Sequence, residues 1–205
     1  MMLKLNRKRL FGVALVGINV AAITMPFMAN ADTQTTNTNI GLSVNPVIIS
    51  YSSGPTVTLG AITPDSTGKQ SAASDTVTAD TNDTAGFTVT LKSNNVSSTD
   101  MTSGSDTITA GSGTPSSPAA LTNGKWGWRI DSLASFGAGP TSTISNASPS
   151  ALTYAGIPAN ASPYTIKTTS STGSASSTVW YSARVNNTQP IGTYSATVTY
   201  TITTN

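Results

Sequence analysis

Residues Gly192 to Thr203 read GTYSATVTYTIT, and the alternation in this stretch decides the fold. Apolar side chains take every second position (Tyr194, Ala196, Val198, Tyr200 and Ile202), with Thr and Ser between them. Successive strand residues point to opposite faces, so the stretch predicts a half-buried β-strand with a hydroxyl-rich outer side. Pro190 and Gly192 supply the turn that launches it, and this strand is expected to close the fold.

Working back along the chain, Val179, Tyr181, Ala183 and Val185 alternate in the same way, and so do Phe87, Val89 and Leu91. Shorter strands are expected at Ile40, Leu42 and Val44 with a bend at Asn45-Pro46, at Val57 to Ala61, at Val77 and Ala79, at Lys125 to Ile130, and from Tyr164. The short connection Asn187 to Gly192 predicts an antiparallel hairpin between the last two strands. Trp180 and Tyr181 are neighbours, so one is expected inside and the other outside. Residues 93–124 and 132–162 are rich in Ser, Thr, Gly and Asn and read as long surface loops. No helical periodicity appears. The prediction is an all-β chain, a single antiparallel β-sandwich of Greek-key type with about eight to ten strands. An open β-barrel is the alternative.

Residues 1–31 stand apart. Lys4, Arg7, Lys8 and Arg9 precede an apolar run, and Ala29-Asn30-Ala31 gives a small-x-small cleavage site. This is the pattern of a secretory signal peptide, touching a membrane only before cleavage. Residues 32–39 read as a flexible polar leader and 40–205 as the β-domain. Four of the ten basic residues lie in the signal, leaving six against eight acidic and a formal net charge of −2. No basic patch remains to release counterions from nucleic acid, so no nucleic-acid partner is expected. The expected location is secreted and cell-surface associated.

Candidate chemistry is sparse. His, Cys and Glu are all absent, which excludes His- or Cys-based nucleophilic triads and ordinary zinc sites. A secreted enzyme would have to work through Asp, and Asp in Ser/Thr/Asn/Gly-rich turns is usually a turn former. The expectation is a non-enzyme without cofactor. Asp75, Asp80, Asn82 and Asp83 form the one oxygen-rich cluster, a candidate calcium site set against a polar turn capping a strand. Trp126 and Trp128 share one strand face, beside Arg129. Exposed, they would make a platform for stacking sugar rings in a glycan or cell wall; buried, they would be a core plug, the commoner fate of such rings.

Trp126-x-Trp128, followed by Thr193-Tyr194-Ser195-Ala196-Thr197-Val198-Thr199-Tyr200-Thr201-Ile202, resembles the WxL-type surface domain, with Trp128 at the Leu position and Tyr200 at the second Trp. The resemblance implies a secreted β-rich protein attached non-covalently to a Gram-positive cell wall. Gly86 to Leu91, Trp126 to Arg129 and Gly192 to Tyr200 are also similar to strands of small exported surface proteins of candidate-phylum bacteria. The Gly-Thr-Tyr strand is similar to spore-coat-U-type and pilus subunits. These readings converge on a structural or adhesive cell-surface protein with a wall polymer, surface glycan or other surface protein as partner. The alternative is a self-associating fibre, pilus or coat subunit joined by β-strand addition.

Overall fold

The computed structural model describes residues 42, 48–52 and 56–205, residues 48–52 as strand backbone. The expected signal peptide and leader lie outside the described residues, as does the Ile40 to Val44 strand apart from Leu42. Among the described residues the chain is all-β, with no helix, and so none long and apolar enough to cross a membrane. Its strands are β1 (Ile48–Ser52), β2 (Lys69–Thr81), β3 (Phe87–Ser93), β4 (Met101–Ser103), β5 (Asp106–Ala110) and β6 (Ala119–Ala120). They continue as β7 (Lys125–Ile130), β8 (Ile144–Ala147), β9 (Thr153–Tyr154), β10 (Tyr164–Thr168), β11 (Gly173–Val185) and β12 (Val198–Thr204).

A seven-stranded sheet runs β1-β2-β11-β7-β5-β4, with β8 added to β2. It curls as half a barrel. A second sheet has the order β10-β3-β12, and β6 pairs with β9. The backbone of the large sheet is the antiparallel ladder of β2 and β11, in register from Lys69↔Val185 to Thr81↔Gly173. Only Val77 and Ala79 advertise β2 in the sequence. The strand is far longer because its small residues Ala72, Ala73 and Ser71 are all buried, where apolar alternation is no longer needed.

Residues directly opposite in a ladder share a face. Val77, Ala79, Trp126, Trp128, Ile130, Val179, Tyr181, Ala183 and Val185 therefore form one face of the large sheet. They meet Phe87, Val89, Leu91 and Ile166 of the second sheet in a single apolar cluster, with Val198, Tyr200 and Ile202 packed against it.

Several expectations are corrected. The final strand begins at Val198, six residues after Gly192, because Val198 already pairs with Ser93, the last residue of β3. Before that point the segment makes only the single bridge Ser195↔Thr102, and Ala196 is exposed. The predicted hairpin of the last two strands is absent: β11 pairs with β2 and β7, while β12 pairs with β3 in the other sheet. Residues 186–197 carry the chain between sheets. Pairing is not wholly antiparallel, since β5 runs parallel to β7 through Thr109↔Lys125 and Ala110↔Trp126. Trp180 and Tyr181 are both buried, because both faces of β11 are covered.

The two regions read as surface loops are also part of the packed structure. Residues 93–124 contain β4, β5 and β6, and Ile108 and Leu121 are buried. In 132–162, Phe136, Tyr154 and Ile157 are buried against β7 or the core. Ala155 exchanges backbone hydrogen bonds with Trp128 at 2.9 Å. A Cβ on Gly127 would lie 2.4 Å from the Ala155 carbonyl oxygen, so this crossing needs glycine.

Candidate functional site

The three residues proposed for sugar stacking are interior. Trp128 and Arg129 are fully buried and Trp126 is 4% exposed. Each indole N–H is satisfied inside the protein: Trp126 donates to the Thr99 carbonyl and Trp128 to that of Gly156, both at 3.0 Å. Trp128 also packs edge-on to Phe136, ring centres 5.5 Å apart. No flat aromatic platform faces solvent here, because the second sheet covers one side of β7 and residues 133–157 the other.

Arg129 is a structural clamp. Its guanidinium donates to the carbonyls of Thr153, Phe136, Gly137 and Ala138 at 2.8–3.2 Å. Its Nε lies 3.5 Å from an Asp131 carboxylate oxygen, and its charge sits over the rings of Phe136 and Tyr154. Nearby, Gln70 donates to Ser182 at 2.9 Å and accepts from the Ser150 N–H at 3.1 Å. Ser182 donates onward to the Ser71 carbonyl. A buried cation is tolerable when so many acceptors surround it.

The calcium candidates are not brought together. Asp75 and Asp80 lie five positions apart on β2, so their side chains leave opposite faces about 17 Å apart. Asp75 is buried and Asp80 exposed. Asp83 sits in the following turn, where its carboxylate accepts the Ala85 N–H at 2.9 Å. Among the described residues no three carboxylates converge. The turn-forming alternative describes Asp83.

The open feature lies elsewhere. A groove of about 680 Å³ is bounded by Thr56–Leu59 on one wall and Thr193–Val198 with Tyr200 on the other. Its floor is Asp75, Met101, Trp126 and Tyr181. Both walls contribute consecutive residues, so backbone as well as side chains face the opening. Thr56–Leu59 and Thr193–Thr197 lie outside the strands, the latter held by one antiparallel bridge, Ser195↔Thr102, while Val198 and Tyr200 belong to β12. Tyr194, half-buried, is fixed by its hydroxyl, which donates to the Pro190 carbonyl at 2.8 Å and accepts from Gln189 at 2.8 Å.

Across the groove the hydroxyls of Tyr181 and Tyr200 lie 2.6 Å apart, joining the two sheets. Burial pushes both phenols above their usual range. They are uncharged hydrogen-bonding groups at neutral pH. Among the described residues of the lining, Asp75 is the only carboxylate and there is no Lys or Arg.

Sequence reasoning missed the groove. Tyr181, Tyr194 and Tyr200 were visible in alternation, but their meeting depends on β12 joining the opposite sheet. No protein-family model matches the chain, and neither a curated protein nor a solved structure matches it.

Proposed function

We propose that this chain is a non-enzymatic structural or adhesive component of a cell surface, exported by residues 1–31, with its two larger sheets closing on one core as a β-sandwich. It acts by non-covalent contact with an extended polymer, a cell-wall polymer or surface glycan. The groove between Thr56–Leu59 and Thr193–Val198 is the observation that carries the reading. It combines aromatic rings with Ser and Thr hydroxyls, the pairing that sugar rings and their hydroxyls require. The inventory supports the non-enzymatic part: without His, Cys or Glu, any general acid or base would have to be Asp, Lys or Tyr. The test is co-sedimentation of the secreted chain with insoluble cell walls beside Ala196→Trp, which fills the groove from an exposed position. Saturable pelleting lost in the variant supports the reading; no pelleting defeats attachment to the wall.

A second reading, self-association by strand addition, is favoured by a different observation. β12 is an edge strand of the second sheet, and its sequence VTYTITT contains neither charge nor proline. Edge strands of soluble proteins usually carry such blocking residues. Concentration-dependent mass in sedimentation measurements supports this reading, and a constant monomer mass defeats it.

A further inference from the structure

We infer that the groove selects a glycan with free amino groups: an amino sugar whose ammonium meets Asp75 on the floor while its ring lies against the tyrosines. This deepens the glycan reading, on which it rests, by naming the class of sugar.

Asp75 stands where the fold asks for an apolar residue. On β2 it lies between Ala73 and Val77, on the face turned to the second sheet, and Val179 is opposite it. Ala73, Val77 and Val179 are buried, and Asp75 itself is only 5% exposed. A carboxylate at such a position costs desolvation that a neutral side chain of the same shape would not. Residues that break the pattern of their surroundings at a cost to stability are expected where a protein binds or reacts. Asp75 lines the groove, so this departure from the pattern sits at an opening to solvent.

The surroundings suit a cation. Trp126, Tyr181, Tyr194 and Tyr200 contribute rings to the lining, and the faces of such rings attract ammonium groups. Burial is the main cause that raises the phenols of Tyr181 and Tyr200, and the negative charge of Asp75 adds to it. That charge therefore lies within electrostatic range of both hydroxyls, whose oxygens, 2.6 Å apart, are further acceptors for an N–H donor. The described lining adds no Lys or Arg, so its charge is complementary to a cation.

The number of charges selects an amino sugar over a basic peptide. One carboxylate in the described lining suits one ammonium at a time, whereas a lysine-rich segment brings several. An amino sugar also carries what the rest of the lining takes: a ring face for the tyrosines and hydroxyls for Thr and Ser.

The test is calorimetric titration of the secreted chain with soluble glucosamine oligomers and with the same oligomers N-acetylated, which keep the sugar and lose the charge. The free-amine form is expected to bind about ten- to a hundredfold more tightly. Asp75→Asn, its fold checked by circular dichroism, is expected to bind both forms alike, and Ala196→Trp to bind neither. The wild-type comparison needs no variant and decides the matter if Asp75→Asn does not fold. If the wild type binds both forms equally, the inference falls and the glycan reading stands. A preference for free amines that Asp75→Asn keeps also overturns it, as does oligolysine binding as tightly as the amino sugar, which would give the groove to a basic peptide. If neither oligomer binds while the chain still pellets with cell walls, amine selection falls alone. Without pelleting, both fall.

Discussion

Where β2, β11 and β7 meet, around Gln70–Ala73 and Val179–Ala183, both faces of the large sheet are buried, yet by opposite means. On the face toward the second sheet, Val77, Ala79, Val179 and Trp128 pack as apolar surface. On the other, Gln70, Ser182 and Arg129 are buried as polar groups and bind the covering chain by hydrogen bonds. The difference follows from what each face covers. A paired sheet has satisfied its own backbone, so only apolar area remains to bury. The segment from Leu133 to Ile157 is irregular apart from the short β8 and β9, and one guanidinium gathers four of its carbonyls. Irregular chain can be packed as interior when side chains replace the ladder.

That contrast ranks the effects of substitution. Arg129→Met should cost the most, about 3–5 kcal/mol, since it orphans four carbonyls at once. Thermal unfolding should show it, with early proteolysis between residues 133 and 157; an intact cover would break the comparison. Val179→Ala on the apolar face should cost about 2 kcal/mol by leaving a cavity, without loosening that cover. Tyr200→Phe, which removes a hydroxyl where the sheets meet, should cost about 1 kcal/mol.

The phenols also set an alkaline limit. Their folded pKa values lie above the unfolded value near 10, so their contribution is complete below about pH 10 and is lost as pH rises beyond it. Tyr200→Phe should flatten part of that decline in alkaline melts. The smallest effect concerns the exposed turn before β2. The Thr67 hydroxyl, then Lys69, holds the Asp65 carboxyl down to about 2 from 3.8. Its contribution is present above about pH 4 and fades as pH falls toward 2. Asp65→Asn should remove only that acid-side slope, leaving neutral melts nearly unchanged.

Legibility in the sequence followed alternation. Phe87, Val89 and Leu91 alternate, and β3 is where they predict it. GTYSATVTYTIT also alternates, but its first half makes only the single bridge Ser195↔Thr102, and pairing is a property of another segment. β2 was legible only at Val77 and Ala79, because a strand covered on both faces loses the period-two signal. Trp126 and Trp128 were assigned to one face correctly; whether that face was covered depended on β3, β10 and β12. The groove was illegible for a related reason: its walls, 56–59 and 193–198, are more than a hundred residues apart.

The ladder of β2 with β11 has a consequence in time. Its partners are separated by 92 to 116 residues, from Thr81↔Gly173 to Lys69↔Val185. Closing so long a loop precedes any gain from pairing, which places this chain among slow folders. During synthesis β2 has emerged long before its partner exists. A chain cut before Gly173 would therefore lack the centre of its large sheet, however faithfully its earlier turns had formed.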